Sequence, residues 1–503
     1  MYQKNSKKKH CAMMLSLVSS YVALTSLDGS ADGTYTVRHF NQTLDHTTGE
    51  GRFKHRYLYS DANWNGSGKL KNGCKGPILL YTGNEGPITA FWGSNGFMID
   101  VLAPKWGALL VFPEERYYGE SLPFGADSFS AEHVKYLTVE NILADYVALM
   151  KWLKIDLGAD AANCPVVAFG GSFGGTLTTF LRTTYPDVVI GGLAASAPVG
   201  YYDKPGWAAH GVTEFTWSDI VARDYDEAHP LCTTAIEGTM AAIARTAAAD
   251  LVKAFHVCDA SALGPDAPTE FFAYALEGIP QQDYPYAIGA MPAWPVNATC
   301  ATLVKPYLAS ENANHVPSDA ALIAAAATIT DVAFGYTPSG SCIPTFVEGP
   351  GGVPGDGPGT DAWGWQSCTE NLHQFSSRGG VRDYTFSLMQ TTKDCSTYFN
   401  GTNVLDNGKL TRLYGGYALG DGTGEKKVTN LIWSNGLRDP WHGGGFLTPG
   451  PTSSGNHWIS MPNGAHHVDL RGPHPEDPAD ITAARVMEES IIKSWIDAAS
   501  RAE

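Results

Sequence analysis

The sequence predicts an α/β protein whose mostly parallel sheet is interrupted by a long helical segment. Three observations carry this. Apolar runs such as Pro77-Ile78-Leu79-Leu80-Tyr81 and Ala108-Leu109-Leu110-Val111-Phe112 lack the alternation of a half-exposed strand, so both faces of their sheet must be covered. A segment of helical spacing follows, with apolar Val139, Ile142, Leu143, Val147, Met150 and Leu153 between Thr138 and Leu157. This texture stops after Val199 and returns at Asn430.

The elements follow in chain order. Alternating residues in Tyr35–Phe40 and Phe53–Tyr59 predict edge or hairpin strands. Val166–Phe169 is a buried strand that runs into a helix beginning near Thr176. Val188–Leu193 and Ala194–Val199 form the next strand and its exit. Alanine-rich stretches, Thr234–Phe255 and Ala320–Phe334, predict helices, and Gly349–Gly359 is a Gly/Pro surface connection. Asn430–Trp433 and Trp458–Met461 are the last strands, closed by an amphipathic helix over Ile481–Ala499. The expected organisation is a leader at 1–30, a sheet domain at 33–200 resumed at 428–503, and a helical insertion at 201–427.

The chemistry centres on Gly170-Gly171-Ser172-Phe173-Gly174-Gly175, which joins the strand ending at Phe169 to a helix. A strand, a sharp turn bearing serine and a helix make the Gly-x-Ser-x-Gly nucleophile elbow. Small neighbours let strand and helix approach, and the free N–H groups of the helix start face the place where an oxyanion would form. A serine hydroxyl needs a base, and the base an orienting carboxylate. On such a sheet these belong at strand ends in the order Ser, Asp, His. Asp439 follows one late strand and His466 the next, each in a Gly-containing turn. Alone, either would be an ordinary loop residue; order and placement make them a set with Ser172.

Composition narrows the class. The 503 residues carry a net charge of −17, which leaves nothing to neutralise nucleic-acid phosphates. Lys4 and Lys7–Lys9 precede an apolar stretch, Cys11–Leu27, and small residues at Gly29–Ala31, the pattern of a secretory signal rather than of a stable membrane anchor. Outside it lie eight cysteines, an even number that suits up to four disulfides in an oxidising compartment. No Cys-x-x-Cys pair suggests a zinc site, and no metal or cofactor is expected. Sequons at Asn41, Asn65, Asn297 and Asn400 are candidate glycosylation sites.

Longer motifs carry a resemblance. Tyr81–Gly86 (YTGNEG), Glu115–Gly125 (ERYYGESLPFG), Gly170–Gly175, Asn435–Trp441 (NGLRDPW) and Gly464–Arg471 (GAHHVDLR) resemble the family of lysosomal Pro-X carboxypeptidase and dipeptidyl peptidase II. The resemblance spans about residues 35 to 498. It implies an α/β-hydrolase fold with a helical cap inserted over the active site, and a serine exopeptidase acting after proline or alanine near a peptide end. It makes Ser172 the nucleophile, Asp439 the orienting carboxylate and His466 the base, with His467 and Arg471 an accessory pair. The oxyanion hole is expected at the N–H of Phe173 and one from the loop beginning at Gly83. Trp441 is either a wall of the proline pocket or core packing; Glu85 either fixes its loop or holds a substrate amine.

One departure stands out. The family's Trp-Asp-Tyr-Gln-x-Cys-Thr-Glu becomes Trp-Gly-Trp-Gln-Ser-Cys-Thr-Glu at 363–370, with Gly364 in place of the aspartate. The segment His474–Pro478 leans toward dipeptidyl peptidase II, so that activity is the first expectation, with Pro-X carboxypeptidase the alternative and an esterase or lipase a more distant one. Expected partners are peptides with proline near a terminus. The expected location is lysosomal, vacuolar or extracellular, and a homodimer is compatible with the sequence.

Overall fold

In a computed structural model, the structure describes residues 34–258, 267–309, 316–338, 340, 342–343, 359–424, 427–450 and 455–501. The leader at 1–30 and nearly all of the Gly/Pro connection at 349–359 lie outside these residues.

One eight-stranded sheet organises the chain: β1 (Thr36–Thr43), β2 (Arg52–Ser60), β3 (Ile78–Tyr81), β4 (Leu109–Pro113), β5 (Val166–Gly171), β6 (Gly191–Ala195), β7 (Leu431–Gly436) and β8 (His457–Met461). Their order is β1-β2-β4-β3-β5-β6-β7-β8. β1 and β2 are antiparallel, as is β2 to β4; every later pairing is parallel. This is the α/β-hydrolase arrangement.

The apolar runs explain the layers. Strand side chains point alternately to opposite faces. Ile78 and Leu80 therefore enter one core with Leu109, Val111, Val166 and Ala168. Leu79 and Tyr81 enter a second with Leu110, Phe112, Val167 and Phe169. The first core is covered by α1 (Val139–Asp156) and α2 (Phe173–Thr184), through Ile142, Leu143, Leu177 and Phe180. The second is covered by the closing helix Ala479–Ala499, through Ile492, Trp495 and Ile496. Thr138 caps α1 by accepting a hydrogen bond from the Asn141 N–H.

The chain leaves the sheet after β6 and returns at β7, which pairs directly with β6. Between them the described elements are helices and short turns of helix, together with isolated bridges. The single helix expected over Thr234–Phe255 is two, Cys232–Arg245 and Ala248–Ala254. Thr246 adopts an extended conformation between them (ψ 141°), so the alanine-rich composition alone overstated the helix length. Disulfides join Cys74–Cys164 within the sheet region and Cys232–Cys300, Cys258–Cys342 and Cys368–Cys395 in the helical excursion. Each restricts the unfolded chain, most where the loop is long. The side chains of Asn41, Asn65, Asn297 and Asn400 are all exposed. Among the described residues no helix is long and apolar enough to cross a membrane.

Candidate active site

Ser172 caps the N-terminus of α2 with φ 58° and ψ −126°, a backbone conformation that an L residue rarely adopts. Neighbouring backbone enforces it. The Ser172 N–H donates to the Ala195 carbonyl at 2.9 Å, and the Ser172 carbonyl accepts from the Thr176 N–H at 3.0 Å. The flanking glycines are required by space: a Cβ on Gly170 would lie 2.2 Å from the Gly174 carbonyl oxygen, and one on Gly174 would lie 2.4 Å from that of Gly83. The loop after β3 is tied to the same turn. Asn84 Oδ1 accepts from the Gly174 N–H at 2.5 Å, and its Nδ2 donates to the Tyr81 hydroxyl at 3.0 Å.

The strand register brings the partner loops to this edge. Gly171 pairs with Ala195, Ala195 with Ser434 and Gly436 with Met461, so β5 to β8 end side by side. Asp439, fully buried, lies just past β7. Its Oδ1 accepts from the Trp441 N–H at 3.1 Å, and its Oδ2 lies 2.6 Å from His466 Nδ1. A carboxylate oxygen accepts, so this contact takes the ring N–H at Nδ1 and leaves Nε2 as the acceptor nitrogen of the neutral tautomer. Backbone bonds hold His466 in place: its N–H donates to the Gln281 carbonyl at 3.0 Å, and its carbonyl accepts from the Tyr284 hydroxyl at 2.9 Å. His467 packs against both His466 and the start of the elbow. Its ring is 4.5 Å from that of His466, and a Cβ on Gly171 would lie 2.8 Å from it. Burial, then the charges of His466 and Arg471, holds His467 well below the usual histidine range, so it is neutral. The Arg471 guanidinium lies 4.6 Å over the Tyr284 ring.

Trp441 is buried in an aromatic cluster beside Asp439. Its ring lies 5.0 Å from His373, 5.8 Å from Phe375, 6.0 Å from Trp217 and 6.1 Å from Tyr201. His373 is pushed down to about 3 by burial, so the cluster is uncharged. Glu85 is fully buried, and burial pushes its carboxyl up to about 7. Burial, then the charge of Glu85, puts Glu115 well above the carboxylate range; Gln366 Nε2 donates to it at 3.0 Å. Residues with no recognisable motif thus support the site: Gln281, Tyr284 and Ser196, whose Oγ accepts from the His467 N–H at 2.8 Å. The helical segment offered no strand-end rule by which to find Gln281 or Tyr284.

These buried groups predict how stability depends on pH. Among the described residues, Glu85, Glu115, Asp224, Glu277, Asp283, Glu370 and Glu488 have raised carboxyl pKa values, each through burial first. Glu85, Asp224 and Glu370 reach about 7. From about pH 4.5 to 7 the folded state binds protons that the unfolded chain has released, so stability falls as pH rises. Buried His55, His373, His442 and His467 have lowered values and oppose this, because the unfolded chain protonates them below about 6.5. Seven carboxyls outweigh four histidines in that window, so the melting temperature falls as pH rises from about 5 to 7.5. A scanning fluorimetry series shows this; a maximum at pH 7.5 or above contradicts it.

Comparison with known proteins gives a consistent group. The pattern of the serine carboxypeptidase S28 family matches residues 42–488. The lysosomal Pro-X carboxypeptidase of Homo sapiens is 34% identical over 489 residues, covering 94% of this chain and 90% of that protein. The Bos taurus protein of the same name is 34% identical over 480 residues, covering 92% and 88%. Prolyl carboxy peptidase like protein 5 of Caenorhabditis elegans is 32% identical over 450 residues, covering 85% and 84%.

Proposed function

The chain belongs to the serine carboxypeptidase S28 family, and from that membership we propose a Pro-X carboxypeptidase that removes the C-terminal residue of peptides whose penultimate residue is proline. The observation that carries the chemistry is the 2.6 Å contact of Asp439 with His466 at the sheet edge that bears Ser172. Ser172 Oγ attacks the prolyl carbonyl as His466 Nε2 takes its proton. The N–H of Phe173 and one from the loop beginning at Gly83 face the oxyanion. His466 then protonates the leaving nitrogen, and the C-terminal amino acid departs. Water, deprotonated by His466, releases the prolyl acid and restores Ser172. Trp441 serves as one wall of the proline pocket, consistent with its uncharged aromatic surroundings, and Glu85, His467 and Arg471 shape the floor around the base.

Two features favour the carboxypeptidase over the dipeptidyl peptidase expected first. The relatives described above carry the Pro-X carboxypeptidase name. At 364 this chain has glycine where the family's motif has aspartate; if that carboxylate holds a substrate amine, a dipeptidyl peptidase would lack its anchor here. Four disulfides and stability on the acid side suit a lysosomal or secreted enzyme. Purified protein hydrolyses N-blocked Pro-Phe at its peptide bond and leaves a free-amine Lys-Pro arylamide intact. Cleavage of the arylamide alone would make the enzyme a dipeptidyl peptidase; hydrolysis of fatty-acyl esters alone would sink both readings.

A further inference from the structure

One residue of the helical segment between β6 and β7 is hydrogen-bonded both to His466 and to the aromatic cluster. Gln281 is 4% exposed, in the short helical turn Ile279–Gln282. Its main-chain carbonyl accepts from the His466 N–H at 3.0 Å. Its carboxamide Oε1 accepts from Trp441 Nε1 at 2.9 Å. One residue therefore touches both loops that follow β7 and β8, and its carboxamide is held with a defined orientation. The Oε1 is committed to an indole N–H, so the amide cannot flip without losing that bond. Its Nε2 is buried and has no hydrogen-bond partner among the described residues. Two N–H donors in that position are costly unless something accepts from them.

We propose that Gln281 determines specificity by donating from Nε2 to the terminal carboxylate of the leaving residue. This rests on the carboxypeptidase reading. His466 protonates the leaving nitrogen, so the leaving residue lies on the His466 side of the scissile bond, where Gln281 is anchored. Its carboxylate is a strong acceptor for a fixed, water-shielded amide N–H. Arg471, another buried donor near His466 with Nε and Nη2 lacking partners among the described residues, is stacked on Tyr284, whose hydroxyl bonds the main-chain carbonyl of His466; unlike Gln281 it has no contact with Trp441 among the described ring and hydrogen-bond contacts.

The test compares N-blocked Pro-Phe as free acid and as C-terminal amide, assayed with wild type, Gln281→Glu and Gln281→Met near neutral pH. Gln281→Glu keeps the acceptor for Trp441 Nε1 and the shape but replaces the donor by a charge that repels a carboxylate. Its preference for the free acid over the amide, the ratio of the two kcat/KM values, falls about 10- to 100-fold relative to wild type. Gln281→Met, which has neither donor nor charge, lies between on the free acid. Equal losses on both substrates, or an unchanged preference for the free acid in Gln281→Glu, overturn the proposal and leave the carboxypeptidase standing. A wild type that cleaves neither substrate yet releases N-terminal dipeptides refutes the carboxypeptidase reading itself.

Discussion

Ser172→Ala lowers kcat/KM by about 10⁴-fold or more while moving the melting temperature by no more than about 2 °C. The loss follows from chemistry: without Oγ there is no acyl-enzyme, and what remains is the contribution of binding and the oxyanion donors. The retained stability follows from structure. The left-handed turn at φ 58° is held by the backbone bonds to Ala195 and Thr176 and by the close approaches at Gly170 and Gly174, none of which uses the hydroxyl. Serine and alanine also carry a similar strain at that φ. Stopped assays on N-blocked Pro-Phe and a melting curve check both halves. Activity within tenfold of wild type would mean that another group is the nucleophile.

Asp439→Asn lowers kcat by about 10⁴-fold through the wrong histidine tautomer. Both carboxylate oxygens are in use, Oδ1 by the Trp441 N–H and Oδ2 by His466 Nδ1. Asparagine offers one acceptor and one NH₂. If the oxygen stays with Trp441, the NH₂ faces Nδ1, which must then accept. The ring proton moves to Nε2, where it blocks proton abstraction from Ser172. If the amide turns over, its NH₂ meets the Trp441 N–H, two donors in a buried site. The first arrangement is cheaper. The variant is therefore folded but nearly inactive, with KM changed much less than kcat. A loss under tenfold would show that Asp439 neither orients nor charges the base.

The elbow was legible because a strand, a serine between small residues and a helix leave a local signature. The residues of β3 and β4 were legible because burial on both faces demands unbroken apolar runs. Asp439 and His466 were found because strand ends in a parallel sheet share one edge, which converts chain order into spatial proximity. The helical segment gave up less. Alanine-rich periodicity predicts helices but not the break at Thr246, which is a tertiary choice, and it says nothing about which side chain reaches the sheet.

The sequence by itself determined the sheet class and put Ser172, Asp439 and His466 at the ends of neighbouring strands, because each rests on short-range pattern or on the fixed geometry of parallel strands. Only the tertiary structure decided what surrounds them: the His467 ring against Gly171, the Tyr284 hydroxyl on His466, and Gln281 spanning His466 and Trp441. These contacts join residues more than a hundred positions apart in the chain: the first packs two strand-end loops together, and the other two follow from how the helical excursion packs back over those loops. No local propensity encodes that packing.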